Sequence, residues 1–140
     1  MFELNGNSPL SNDEFADFVM HSPDFEFLRV NDEPVLSFPD MEIYPDRRKV
    51  YFCHKEIRLT VKEYKILCLL VINQGRVLTY DWLYEKVWGE DSIGNIKNAI
   101  ACHVHNLREK IYGVLSEPSI SIRCVREIGY CFDLNFIKNK

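Results

Sequence analysis

The sequence predicts an α+β fold: an N-terminal antiparallel β-meander, three helices and a C-terminal β-hairpin. Three observations predict it. Between Pro34 and Leu59, short β-rich runs alternate with turn residues. From Thr60 to Tyr112, apolar residues recur at the helical interval, and capping residues stand ahead of them. Beyond Ser119, two alternating runs flank a short turn beside Gly129.

In chain order, residues 1–34 come first, as an acidic N-terminal extension. Asn12 is placed to cap a short helix over DEFADFVMH, with Asp13 and Glu14 in its first turn. Phe25, Phe27 and Arg29 alternate weakly, as in a short strand before NDEP. The runs VLSF, MEIY, KVYF and EIRL then read as about four short strands, with turn chemistry at PD, PDRR and CHKE. Thr60 to Gln74 is the clearest helix. Thr60 and Glu63 form a capping box, Tyr64, Leu67, Leu70 and Val71 make a buried stripe that Ile66 widens, and Gly75 ends it. Arg76 to Leu78 is an extended link. Thr79 caps a second helix, which turns Leu83, Val87 and Trp88 inward and stops at Gly89. A polar loop leads to a third helix over residues 95–112. The runs ISIRCV and GYCFDL, within residues 120–134, form the closing hairpin, with Gly129 relieving the backbone near its turn.

Three helices followed by a two-stranded hairpin is the order of a winged helix-turn-helix. The third helix has two contrasting faces. Ile96, Ile100, Val104, Leu107 and Ile111 fall on one side of a helical wheel, a stripe wide enough to dock on a core. Lys97, Asn98, Ala101, Cys102, His105, Arg108 and Tyr112 fall on the other. Small residues there allow close approach, Asn98 and His105 offer hydrogen bonds, and Lys97 and Arg108 carry charge near the ends. That composition suits a helix in a DNA major groove. Asn98, Ala101, Cys102 and His105 are the base-facing candidates. Lys97, Arg108 and Arg126, at the hairpin tip, are the phosphate candidates. His103 falls on the apolar side, where a packed, hydrogen-bonded role is expected.

Charge is unevenly distributed. Residues 1–40 hold nine of the 21 acids and one of the 17 bases, a net of −8; residues 41–140 hold the other 12 and 16, a net of +4. Any affinity for DNA therefore depends on where the body's charges sit. The longest apolar run, Ile66 to Ile72, is too short to cross a membrane. MFELNGNSPL shows no basic segment followed by an apolar stretch, so no secretion signal is expected. Five scattered cysteines without a CxxC pair point to reduced thiols and a cytoplasmic location.

Cys102 and His105 lie three apart on a helix, but no second ligand pair with zinc spacing accompanies them, so no metal is expected. No nucleophile–base arrangement, glycine-rich phosphate loop or paired-carboxylate site stands out. The expectation is a protein that is not an enzyme and takes no cofactor. Trp88, Tyr64, Tyr80, Trp82 and Tyr84 are expected in the core or at its boundary rather than as a stacking platform for bases.

Four segments carry a family likeness: LTVKEYKILCLL, GRVLTYDWLYEKVWGED, NAIACHVHNLREKI and CVREIGYCF. In this order and spacing they resemble the C-terminal DNA-binding domain of OmpR/PhoB-type response regulators. The likeness covers roughly residues 35–135, including the strand-rich lead-in, and supports a domain over 35–136 followed by a tail over 137–140. The resemblance implies a sequence-specific DNA-binding transcription regulator of the two-component, phosphorelay type. Its third helix would enter the major groove, and its wing the adjacent minor groove. It also implies head-to-tail homodimers on direct repeats, and contact with RNA polymerase through the loop at 89–94.

The sequence departs from the family pattern in four ways. The roughly 34 residues ahead of the domain are too few for a phosphoacceptor receiver, so control by the chain's own aspartyl phosphorylation is not expected. Asn98, His105 and Asn106 stand where arginines are frequent. Glu127 replaces the first glycine of the wing pattern Arg-Gly-x-Gly-Tyr-[Arg/Lys]-Phe, and Cys131 replaces its base. The N-terminal arm is acidic. These departures leave open an alternative: a non-catalytic protein-interaction module derived from a winged helix, binding RNA polymerase or another regulator.

Overall fold

Five short strands lead the fold, each antiparallel to the next: β1 (Leu28–Val30), β2 (Glu33–Phe38), β3 (Met41–Tyr44), β4 (Lys49–Phe52) and β5 (Lys55–Ile57). The computed structural model describes residues 28–30, 33–38, 40–89, 95–114 and 120–134. The helix expected over 13–21 lies outside them, as does the loop 90–94. The short strand expected before NDEP is β1; added to the about four expected from Pro34 onward, it makes the sheet five-stranded, pairing Leu28 with Val35 and Val30 with Glu33. The last turn is also tighter than CHKE suggested. Phe52 pairs with Lys55, so Cys53 and His54 alone make the turn. Both adopt left-handed backbone, at φ 52° and 66°, as a primed two-residue hairpin requires.

On β3 and β4, Met41, Ile43, Val50 and Phe52 are buried, while Glu42, Tyr44 and Tyr51 alternate with them and are half-buried. This period of two turns one sheet face inward. The first helix, α1 (Val61–Ile72), shares its core cluster. The Thr60 side chain accepts from the Glu63 N–H at 3.2 Å, and the Glu63 carboxylate accepts from the Thr60 N–H at 3.0 Å. These two reciprocal bonds satisfy amides that a helix start leaves orphaned. The expected stripe understates the burial of α1. Every residue from Glu63 to Ile72 is buried. The cluster around the helix includes Ile43 and Phe52 from the sheet, Ile100, Val104 and Leu107 from the third helix, and Phe132 from the last strand. Covered from several sides, each leucine or isoleucine contributes about 1.5–3 kcal/mol of apolar burial.

Gly75, at φ 84°, turns the chain after α1 and donates its N–H to the Phe132 carbonyl at 2.9 Å. The extended link that follows is a strand, β6 (Val77–Thr79). The second helix, α2 (Tyr80–Trp88), begins at once, with the Thr79 hydroxyl accepting from the Trp82 N–H at 3.1 Å. The third, α3 (Ile96–Tyr112), is capped by Asn95, whose side chain accepts from the Asn98 N–H at 3.1 Å. Last come β7 (Ile120–Val125) and β8 (Gly129–Leu134). The hairpin expected from sequence thus gains a third strand, in the order β6-β8-β7. The added pairing is physically apt, because an isolated hairpin is marginal in water. The α+β winged helix-turn-helix with an N-terminal meander stands.

Gly129 has a different role from the one expected. A Cβ at this position would lie 1.9 Å from the Leu78 carbonyl oxygen, so glycine is needed for the approach of β8 to β6. The left-handed backbone of the wing turn falls on Glu127, at φ 68°.

Candidate nucleic-acid interface

The apolar stripe of α3 behaves as its spacing predicts. Ile100, Val104, Leu107 and Ile111 are fully buried, and Ile96 packs on the core from its edge. Their burial fixes which residues face out. Lys97, Asn98, Cys102, His105 and Asn106 are exposed, and Ala101 and Arg108 are half-buried. Six of the eight candidates thus share one outward helix face or its margin; Arg108 and Arg126 are held differently.

Arg108 is bound to the wing. Its Nε and Nη2 donate to the carbonyl oxygen of Ile122 at 3.0 and 2.7 Å, and its guanidinium lies 5.5 Å from the Tyr130 ring centroid. The N–H of the same Ile122 is donated to the Tyr112 hydroxyl at 3.2 Å. Neither the clamp nor the part of Tyr112 in it was legible in the spacing, because both depend on where β7 lies relative to α3.

Arg126 stands at the exposed wing turn with Glu127 and Ile128, and has no hydrogen-bond or ion-pair partner among the described residues. The turn is anchored from behind. The Ile128 carbonyl accepts from the Tyr80 N–H at 3.2 Å, so the wing tip meets the start of α2. Tyr80 packs edge-on against Tyr130, with ring centroids 5.8 Å apart. Desolvation, followed by its contact with the Cys124 thiol, pushes the Tyr80 hydroxyl up to about 12 and keeps it protonated. Lys97 reaches across from α3: its Nζ lies 3.3 Å from a Glu127 carboxylate oxygen and 5.7 Å from the Tyr80 ring centroid. On β7, Arg123 is exposed but paired with Asp133 at 2.9 Å.

On the opposite margin, Trp88 stacks on Tyr84 with centroids 4.8 Å apart and meets the edge of His103 at 5.0 Å. His103 Nδ1 lies 2.8 Å from the Ala99 carbonyl oxygen, an acceptor only, so the proton in that contact is on Nδ1. The packed role expected for His103 is the one it has. Lys62, at the start of α1, sits 4.9 Å over the Trp88 ring.

Glu63 and Lys110 brace α3 from beneath, with Nζ 2.6 Å from a carboxylate whose side chain is 3% exposed. All five cysteines are free thiols; Cys53, Cys102 and Cys124 are exposed, and Cys68 and Cys131 are buried. Among the described residues, no three histidine, cysteine or acidic side chains gather as a metal-holding group. No described helix is long and apolar enough to cross a membrane.

Comparison with known proteins places this architecture. Residues 54–132 match the family model described as "Transcriptional regulatory protein, C terminal". The chain is 34% identical over 109 residues to the alkaline phosphatase synthesis transcriptional regulatory protein PhoP of Bacillus subtilis, covering 78% of this chain and 45% of that one. It spans less than half the length of the curated relatives it matches first. Among solved structures, the DNA-binding domain of CpxR from E. coli superposes with a TM-score of 0.62 at 25% identity, covering 74% of this chain and 99% of that one. The DNA-binding domain of the response regulator AdeR, solved in complex with an intercistronic region, gives 0.60 at 26% identity, covering 71% and 99%. The chain belongs to the family of transcriptional regulatory protein C-terminal domains, the non-enzymatic, DNA-binding winged helices of OmpR/PhoB type.

Proposed function

We propose that this chain regulates transcription by lying on double-stranded DNA with α3 in the major groove and the β7–β8 wing along the adjacent minor groove. One observation carries the reading. The polar, slender face of α3 is outward from Lys97 to Asn106, and the wing is clipped beside it by Arg108 and Tyr112. Asn98, Ala101, Cys102, His105 and Asn106 supply the base-facing surface. An asparagine amide pairs with the adenine edge in bidentate fashion, and small apolar groups suit a thymine methyl. Lys97, Arg126 and the N–H groups of Arg108 not used on Ile122 face phosphates. The relative solved in complex with an intercistronic region supports DNA as the partner.

Footprinting on the chain's own upstream region, in a salt series, tests the reading. Specific protection that weakens as salt rises is the expected result. Absence of protection at low salt, with residues 1–27 also removed so that the sheet from Leu28 onward is kept, overturns it.

Three further assignments belong to this reading. The acidic N-terminal extension competes for the basic face of the domain; residues 28–30 and 33–34 belong to the five-stranded sheet, so the deletion that tests this stops at residue 27 and should tighten binding at low salt. Two copies bind head-to-tail on direct repeats, which half-site spacing would report. The segment 89–94 engages RNA polymerase in the cytoplasm. The second reading, a protein-interaction module, draws on one observation: Lys97 is already paired with Glu127. Capture of polymerase without DNA, unaffected by an Arg108→Ala, Arg126→Ala double substitution, would favour that module.

A further inference from the structure

Three elements converge at the wing tip. The first residue of α2, Tyr80, holds the turn through its N–H bond to the Ile128 carbonyl. The first turn of α3 brings Lys97 over the Tyr80 ring. Glu127 closes the group, 30 residues along the chain from Lys97, with its carboxylate 3.3 Å from the lysine nitrogen. Both side chains are at least half exposed, so solvent does not force them together.

The backbone under Glu127 is costly. Its φ of 68° is left-handed, where glycine sits without penalty and a glutamate does not. In this chain a strained position holds an acid, and that acid takes Lys97. A carboxylate oxygen on an ammonium group is also the arrangement a DNA phosphate oxygen would make.

We propose that Glu127 is a built-in competitor for the DNA backbone: its carboxylate occupies the phosphate place at Lys97 and must be displaced when DNA binds. The inference rests on the DNA-binding reading above. It makes Glu127 a determinant of affinity and salt dependence, with no base to read. Two effects follow from one residue. Lys97 is withheld from phosphate, and a negative charge stands where the DNA strand would pass.

The test is DNA affinity of the full chain, on its footprinted site, across a salt series. E127Q keeps the side-chain size and removes the charge. It is expected to tighten binding roughly three- to tenfold at low salt, and to steepen the dependence of log K on log salt by about one unit, as one more phosphate is neutralised. E56Q is the matched control. Glu56 pairs with Lys49 at 2.8 Å on the other sheet, so its loss changes net charge equally and also frees a lysine. E56Q is expected to leave affinity and slope unchanged. E127G removes the acid and the left-handed penalty together, so it should tighten binding and also raise the Tm by about 2–5 °C.

Wild-type protein that binds its site, with E127Q binding no tighter than E56Q, overturns the inference and leaves the DNA-binding reading intact. Binding by E127Q where the wild type shows none at the same salt supports the inference. No binding by wild type or either Glu127 variant at low salt overturns the DNA-binding reading, and the inference falls with it.

Discussion

Arg108 and Ile122 are joined by two hydrogen bonds to a single carbonyl oxygen, at 3.0 and 2.7 Å. Because Tyr112 takes the N–H of the same residue, α3 captures both outward polar groups of Ile122 on the edge strand of the wing sheet. An edge strand otherwise presents such groups unpaired. One helix therefore supplies the candidate groove-reading face and also sets the position of the wing beside it.

Arg108→Ala should cost about 2 kcal/mol, since it removes charge-assisted bonds and leaves a part-buried carbonyl unmet. Arg108→Lys should not restore the loss, because a lysine lacks the planar fork. Tyr112→Phe should cost about 1 kcal/mol. Amide hydrogen exchange reads this directly: β7 should exchange faster in Arg108→Ala while α1 stays protected. Wild-type exchange in β7 would mean that the clamp does not hold the wing.

Cysteine reactivity offers a map of the interface that needs no substitution. Burial pushes the Cys68 thiol up to about 12, and burial followed by Asp133 raises Cys131, so both should resist a thiol reagent in the native state. Exposed Cys53, Cys102 and Cys124 should react. Added DNA should protect Cys102, on the outward face of α3, and leave Cys53, in the β4–β5 turn, reactive. Mass spectrometry of labelled peptides gives the pattern; equal labelling of Cys102 with and without bound DNA would put the helix elsewhere.

Gly129→Ala should be severe for one methyl group. The added Cβ meets backbone on every near side: the Leu78 oxygen at 1.9 Å, the Leu78 carbon at 2.7 Å and the Thr79 Cα at 2.9 Å. Backbone does not yield as a flexible side chain does, so a loss of about 3 kcal/mol or more is expected, with β6 pulled from β8. Urea titration measures it. A change under about 1 kcal/mol would show that the strands separate freely there.

Lys110→Met should destabilise by about 2 kcal/mol, because the Glu63 carboxylate stays buried with its ion-pair partner gone. Adding Glu63→Gln should recover part of the loss, since the amide keeps an oxygen for the Thr60 N–H and carries no charge. A double variant as unstable as the sum of the singles would mean that the two residues do not act as a pair.

Most of this architecture was legible because its signals are local. The Thr60–Glu63 box, the Thr79 cap and the apolar positions of α3 each occupy one turn or one periodic face, and each appears in the structure. What escaped was pairing over distance. Nothing in Val77–Thr79 announces β8 as a partner, and a link three residues long has too little pattern to show a strand. The exposure of Lys97, Asn98, Cys102 and His105 followed from the wheel. The engagement of Arg108 and Lys97 did not, because each meets a residue on the wing. The Gly129 requirement likewise arises from a neighbouring strand rather than from its own turn.

The near-complete enclosure of α1 has a kinetic consequence. From Glu63 to Ile72 the helix is buried in a core cluster that draws on both sheets and α3, so it has no open side from which to peel. Neither sheet can be stripped away without opening the other's floor, so local loosening should stop at the wing turn and the outer strands. Beyond that point, dissolution of the fold should be a single event, and the slowest-exchanging amides of α1 should all report the same free energy.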